Sequence, residues 1–148
     1  MSATNKVRPE VFEIFQEFAK SKTRKERIAV LKKYDRVMAL RDVLQGTFDP
    51  RVEWNLPNGS VPYTPEPEKL PAPNSIHRAH LNFKYFVRGM RESENLLPVK
   101  REVMFLNILE SVHPEDAEIL VSMINKKPPV AGLTKKIVQE AIPELIPN

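Results

Sequence analysis

Six prolines fall within seventeen residues, from Pro57 to Pro73, and no regular element can run through that stretch. Each proline removes a backbone N–H and fixes φ, so a helix interior or a central strand breaks wherever one stands. Asn58-Gly59 adds a turn signal inside the same stretch. The chain must therefore fold as one set of elements before residue 57 and another after residue 73, joined by an extended strap or linker. Val61, Tyr63 and Leu70 place apolar side chains along it, so parts of the strap are expected to lie on the core. Other prolines mark ends. Pro9, Pro98 and Pro114 stand where first helical residues would, and Pro143 stands where a helix stops.

The remaining pattern is helical. Val11, Phe12, Ile14, Phe15, Phe18 and Ala19 recur at spacings of three and four, which predicts a helix over roughly residues 9 to 20. Thr23-Arg24-Lys25-Glu26 is a capping box, and Ile28, Ala29 and Leu31 give the buried face of a second helix to about Lys33. Asp35 is placed to cap a third helix carrying Val37, Leu40, Val43 and Leu44, with Gly46 as its left-handed terminator. Arg51 to Leu56 is too short to classify.

Beyond the strap, Asn74 or Ser75 opens a helix with Ile76, His80, Phe83, Phe86 and Val87 on one side, ending at Gly89. Pro98 starts a helix bearing Val99, Val103, Leu106, Ile108 and Leu109. Pro114 starts another, in which Glu115, Asp116 and Glu118 complement the positive end of the dipole. The last runs from about Thr134 to Ala141. No segment sustains period-two alternation, so the reading is an all-α single domain, residues 1–148, of about seven helices with no internal repeat.

At 148 residues the chain can bury a core without staples, and with no cysteine it has neither disulfides nor thiol chemistry. The segment Met1 to Lys6 lacks the apolar core of a signal peptide, and no apolar run approaches the roughly 18 residues of a membrane span. A soluble cytoplasmic protein is expected.

Catalytic chemistry has no foothold in the sequence. There is no Gly-rich phosphate loop, no Gly-x-Ser-x-Gly elbow and no His-Glu-x-x-His pair. His77 and His80 stand three apart on one helix, as two metal ligands could. With no carboxylate or cysteine at ligand spacing they read as one surface and one packed histidine, and His113 before Pro114 reads as a helix-flanking residue. The expectation is no enzyme, no metal and no cofactor.

Charge is more informative in its distribution than in its total of +4. Lys20, Lys22, Arg24, Lys25, Arg27, Lys32, Lys33 and Arg36 are opposed only by Glu26 and Asp35, and no acid occurs from Val121 to Val138. That second run contains Lys126, Lys127, Lys135 and Lys136. A helix entered through Gly132 and Thr134 would offer backbone N–H groups and a positive dipole end beside Lys135 and Lys136, which suits phosphate. Pro128-Pro129 removes two backbone donors from the same turn.

The order of these patterns resembles the N-terminal helical DNA-binding domain of ATP-dependent DNA ligases, especially those of large phages. The front of the chain carries it in Arg27 to Tyr34, Leu40 to Leu44 and Thr47-Phe48-Asp49-Pro50-Arg51. The later part carries it in His113 to Leu120, Ile124-Asn125-Lys126-Lys127, Gly132, Thr134 to Val138 and Ile142 to Pro147. The chain is also similar to a small stand-alone protein of T4-like phages and their cyanobacterial relatives, a match that implies a genome context and no activity. The resemblance implies a module lying on the minor groove and backbone of duplex DNA. The nucleotidyltransferase signature Lys-x-Asp-Gly is absent, so it implies binding without joining, in a host cell cytoplasm if the chain is phage-encoded.

Two functions follow as expectations. One is a non-catalytic duplex DNA-binding module contacting phosphates through Lys126, Lys127, Gly132, Thr134, Lys135 and Lys136, with Arg41, Arg51 and the Lys20 to Arg36 cluster as outer support and with little sequence specificity. The other is a protein-interaction module that docks a replication, transcription or virion protein of phage or host, using the extended Val61 to Pro65 and Leu70 to Pro73 segments. A metal-dependent nuclease is the weakest possibility, because the acids stand at helix starts.

Overall fold

Local capping fixes where the first helices begin. In the computed structural model, which describes residues 8–57, 61–64 and 72–147, α1 (Val11–Ala19) starts at Glu10. The Glu10 side chain accepts from the Glu13 N–H, and Glu13 Oε1 accepts from Glu10 N at 2.8 Å. Helix α2 (Arg24–Lys33) starts at Thr23, whose Oγ1 accepts from Glu26 N at 3.1 Å. Glu26 returns the bond to Lys22 N at 2.7 Å, one residue further back than a standard capping box would place it.

Helix α3 (Met38–Phe48) departs from expectation at both ends. Asp35 does not cap it. Residues 34–36 form a turn, Val37 is the cap residue, and the Asp35 carbonyl accepts from Arg41 Nη1 at 2.9 Å. Gly46 does not terminate it either: the helix runs on to Phe48, and Gly46 is buried inside it. A Cβ at Gly46 would lie 2.5 Å from Trp54 Cζ2 and 2.9 Å from Met123 Sδ. The glycine is there so that an indole and a thioether can lie against the helix backbone. Trp54 Nε1 donates to the Gly46 carbonyl at 2.9 Å, satisfying one of the oxygens left over in the last turn.

The segment after α3 is tied across the chain by an isolated antiparallel bridge between Trp54 and Val87. Asn55 N donates to Phe86 O at 2.7 Å and Arg88 N to Glu53 O at 2.8 Å. Of the strap, Pro57, Val61 and Pro62 join Leu56 in bordering a small cavity against Phe105, Leu106 and Ile124. Thr64 N donates to Glu110 Oε2 at 2.9 Å. Val61 and Tyr63 pack on the core; Leu70 and the first residues, Met1 to Lys6, lie outside the described residues.

Ser75 opens α4 (Ile76–Ala79), its Oγ accepting from His77 N at 2.9 Å, and the helix then tightens to a 3₁₀ helix over His80–Tyr85. At three residues per turn, His80, Phe83 and Phe86 share one side. Phe83 meets Trp54 edge-on at 5.8 Å and Phe86 meets Phe105 at 5.4 Å. The helix stops at Tyr85, short of the expected terminator Gly89, which instead turns the chain at φ +91° just after the bridge residue Val87. A short α5 (Arg91–Glu94) occupies the polar connection that follows.

Helix α6 (Pro98–Leu109) is rotated from its expected face. Val99 and Val103 are 72% and 48% exposed, while Arg101 is buried with Phe105, Ile108 and Leu109. Arg101 Nη2 donates to Ser93 O at 3.0 Å and Leu96 O at 3.1 Å. It takes an inward position because it satisfies the carbonyls around the end of α5.

Helix α7 (Pro114–Ile124) begins at His113, whose Nδ1 accepts from Glu115 N at 3.0 Å, so the helix-flanking reading of His113 holds. Helix α8 (Lys135–Ala141) closes the fold. Helix α2 packs on α8, α3 on α7, and α1 on both α2 and α7. One continuous cluster of buried apolar residues runs from Val11 to Ile146. The architecture is all-α, with no strand among the described residues.

Candidate nucleic-acid interface

The eight residues singled out for phosphate contact separate into distinct environments. Lys126 follows α7 in the left-handed conformation, φ +57°. Lys126 N donates to Met123 O at 3.0 Å and Lys127 N to Ser122 O at 2.9 Å, the paired bonds of a Schellman turn with lysine where glycine is usual. The Lys126 ammonium turns inward. Its Nζ donates to Gly46 O and to Asp49 O, both at 2.9 Å, placing a full positive charge on the negative end of α3. Burial pushes this ammonium below its usual pKa. Lys126 thus ties two helices together rather than facing a ligand.

Arg51 joins the same end of α3. Its Nη2 donates to Asp49 Oδ2 at 2.9 Å and its Nε to Oδ1 at 3.1 Å. Asp49 is 1% exposed, and the Arg51 guanidinium holds its carboxyl down at about 2. Arg41 stands near the other end of α3, its Nη2 on Glu144 Oε2 at 2.9 Å. Both arginines are committed to carboxylates.

Thr134 does enter α8 as a cap, but its Oγ1 accepts from Ile137 N at 3.2 Å, so the chain itself takes one of the N–H groups expected to face a phosphate. Gly132 has φ +86°, and a Cβ there would lie 3.0 Å from Arg27 Cζ, so the Arg27 guanidinium stands over this turn. Lys127, Lys135 and Lys136 have no side-chain hydrogen bond or ion pair with the described residues.

What the fold does assemble is a cationic face from α2 and α8. Arg24 Nη1 donates to Glu140 Oε1 at 2.8 Å, and Nη2 pairs with Oε2. Both side chains are half exposed. The Arg24 hydrogen bond, then the charges of Arg24, Lys136 and Lys32, hold the Glu140 carboxyl below its usual range. Arg24, Lys25 and Lys32 also border a shallow groove floored by Ile28 and Ala29. Cations from the two basic runs therefore meet around one acid. Arg24 and Lys32 were expected only as outer support, and Glu140 carried no signal, because an acid in a short helix reads as ordinary solvation.

The histidines part ways. His77 Nε2 lies 2.8 Å from Pro9 O and His80 Nδ1 lies 2.6 Å from Asp42 Oδ2. Among the described residues no group of three or more His, Cys, Asp or Glu is arranged to hold a metal ion, and no helix is long and apolar enough to cross a membrane.

The fold and this face define an all-helical protein with a paired-helix cationic surface. The model of a family of unknown function, DUF6433, matches residues 14–128, and the chain belongs to that family. The matched span includes α2 and stops before α8. No curated protein matches the chain.

Proposed function

We propose that this protein binds duplex DNA along its phosphate backbone, without catalysis and without strong sequence specificity, through the face shared by α2 and α8. The observation that carries the reading is the Arg24–Glu140 fork that joins α2 to α8, with Lys25 and Lys32 beside Arg24 in one groove and Lys136 beside Glu140 in another. Two basic runs far apart in the chain become one surface. The resemblance to ligase DNA-binding domains points the same way, with Lys136 kept in the contact set, Lys126 and Arg51 withdrawn from it, and Arg24, Lys25 and Lys32 brought in from outer support.

Phosphate contacts position a protein without reading bases. Four such contacts give a log–log salt slope of about −3 to −4, at roughly −0.9 per neutralised phosphate. Gel shifts with intact duplex, nicked duplex and single strand at two salt concentrations test this. Replacing Lys25, Lys32 and Lys136 by Glu together should abolish the salt-sensitive shift; retention of the wild-type affinity and slope rejects the face.

A second reading is that the scaffold docks a replication, transcription or virion protein of phage or host. It is favoured by Leu97, Val99 and Val103, which are 75%, 72% and 48% exposed along one end of α6. Large apolar side chains grouped on a surface are a mark of protein contact. Co-purification after nuclease treatment should then return one protein, lost when Val99 and Val103 are both changed to Lys.

A further inference from the structure

We propose that Glu140 occupies the seat of a DNA phosphate, and that binding proceeds by exchange of the Glu140 carboxylate for a backbone phosphate on Arg24, Lys32 and Lys136. This rests on the duplex-binding reading and assigns one phosphate site within it.

The geometry is that of a filled anion site. A guanidinium presents two parallel N–H groups that fit a carboxylate or a phosphate in the same two-pronged way. Arg24 holds Glu140 by that fork, Nη1 to Oε1 at 2.8 Å and Nη2 to Oε2. Lys136 stands one turn before Glu140 on α8 and lines the same groove, and Lys32 stands beside Arg24 along the groove on α2; the charges of both help to hold the Glu140 carboxyl below its usual range. Three cations around one monovalent acid leave an excess of positive charge, which a carboxylate neutralises only in part. The pair is reachable, since both side chains are 51% exposed.

Exchange is inexpensive here. Exposed ion pairs are screened and contribute little to stability, so opening this one to admit a phosphate costs the fold little. Glu144 supplies a matched comparison. It too is an exposed acid paired with an arginine, Arg41, at 2.9 Å, and among the described residues Arg41 is the one cation that lowers its carboxyl.

The consequence concerns counterions. In the native protein Arg24 changes partner on binding: DNA releases a counterion and Glu140 gains one. In Glu140→Gln the fork starts empty, so the same contact should steepen the log–log salt slope by about 0.9.

The experiment compares wild type, Glu140→Gln, Glu144→Gln, Arg24→Gln and the double variant Arg24→Gln/Glu140→Gln by gel shift on intact duplex over a salt series. Circular dichroism confirms folding of each. Glu140→Gln should tighten binding about three- to tenfold at low salt with the steeper slope, Glu144→Gln should tighten it less, and Arg24→Gln should cancel the gain from Glu140→Gln. Equal tightening by the two acid variants, with unchanged slopes, would mean that removal of net negative charge is the whole effect and overturns the seat. Equal affinity of wild type and Glu140→Gln also overturns it while leaving duplex binding intact. Failure of every variant to shift duplex overturns duplex binding itself, and the seat with it.

Discussion

The ammonium of Lys126 lies 2.9 Å from the carbonyl oxygen of Gly46, 80 positions away, and the same distance from that of Asp49. Two hydrogen bonds from a charged donor fasten the exit of α7 to the last turn of α3. Lys126→Met keeps the aliphatic stem and deletes both bonds. Since hydrogen bonds to charged groups contribute about 1.5–3 kcal/mol and this site is only partly buried, a loss of about 1–2 kcal/mol is expected. Urea unfolding measures it. Duplex affinity should stay within about twofold of wild type; a stable variant that has lost DNA binding would show the ammonium to be a ligand contact after all.

Gly46→Ala sets two effects against each other. Alanine is favoured over glycine within a helix by about 1 kcal/mol. The new methyl would stand 2.5 Å from Trp54 Cζ2 and 2.9 Å from Met123 Sδ, and overpacking of a core costs roughly 1–3 kcal/mol. The clash should win, lowering the melting temperature and shifting the Trp54 emission spectrum. A higher melting temperature would show that the indole yields at no cost.

Asp116 makes the fold pH-dependent. It is 1% exposed, Oδ1 accepts from Phe12 N at 3.0 Å, and Oδ2 has no hydrogen-bond partner among the described residues. Burial, then the charge of Glu10, followed by Glu115 and Glu13, raises its pKa to about 7, while the Phe12 hydrogen bond opposes the rise. The folded pKa is above the unfolded one. Between about pH 4 and pH 7 the folded state keeps a proton that the unfolded chain has released, so this contribution is whole below about pH 4, falls across that window and is gone above pH 7. A shift of this size corresponds to on the order of 4 kcal/mol. Asp116→Asn retains the acceptor for Phe12 and puts an amide donor where Oδ2 lacks a partner. Thermal melts from pH 5 to 9 should show the variant stabilised above pH 7 with a flatter profile. Parallel profiles for the two proteins would refute the assignment.

Lys127 and Lys136 separate one contact face from two. Lys136 acts on Glu140 beside Arg24, whereas Lys127 follows Lys126 at the turn tied to α3. Lys136→Glu should weaken duplex binding about five- to tenfold at low salt, on the scale of one lost phosphate contact, and Lys127→Glu by less than about twofold. Equal losses in a gel-shift titration would return Lys127 to the interface.

Much of the helical order was legible because apolar spacing and caps are local signals. Thr23, Ser75, His113 and Thr134 all accept a backbone N–H at the helix start that the sequence pointed to. What escaped depends on partners distant in the chain. Gly46 reads as a terminator until Trp54 is known to lie on it, and Val99 and Val103 read as part of the apolar side of α6 until Arg101 is found turned inward onto the carbonyls of Ser93 and Leu96. The surroundings of the candidate site residues were hidden for the same reason. Lys126 and Lys136 are alike as letters in an acid-free run, and only tertiary packing decides that one is consumed by α3 while the other joins α2.

Arg24 and Glu140 stand 116 positions apart, so the cationic face does not exist in any nascent chain that stops short of α8. Such long-range closure is slow relative to local helix formation. During translation the basic residues of α2 would emerge before the helix that pairs with them, so the proposed phosphate face would form only once α8 has been made. Fragments from premature termination would carry the cations of α2 without Glu140 and Lys136 beside them.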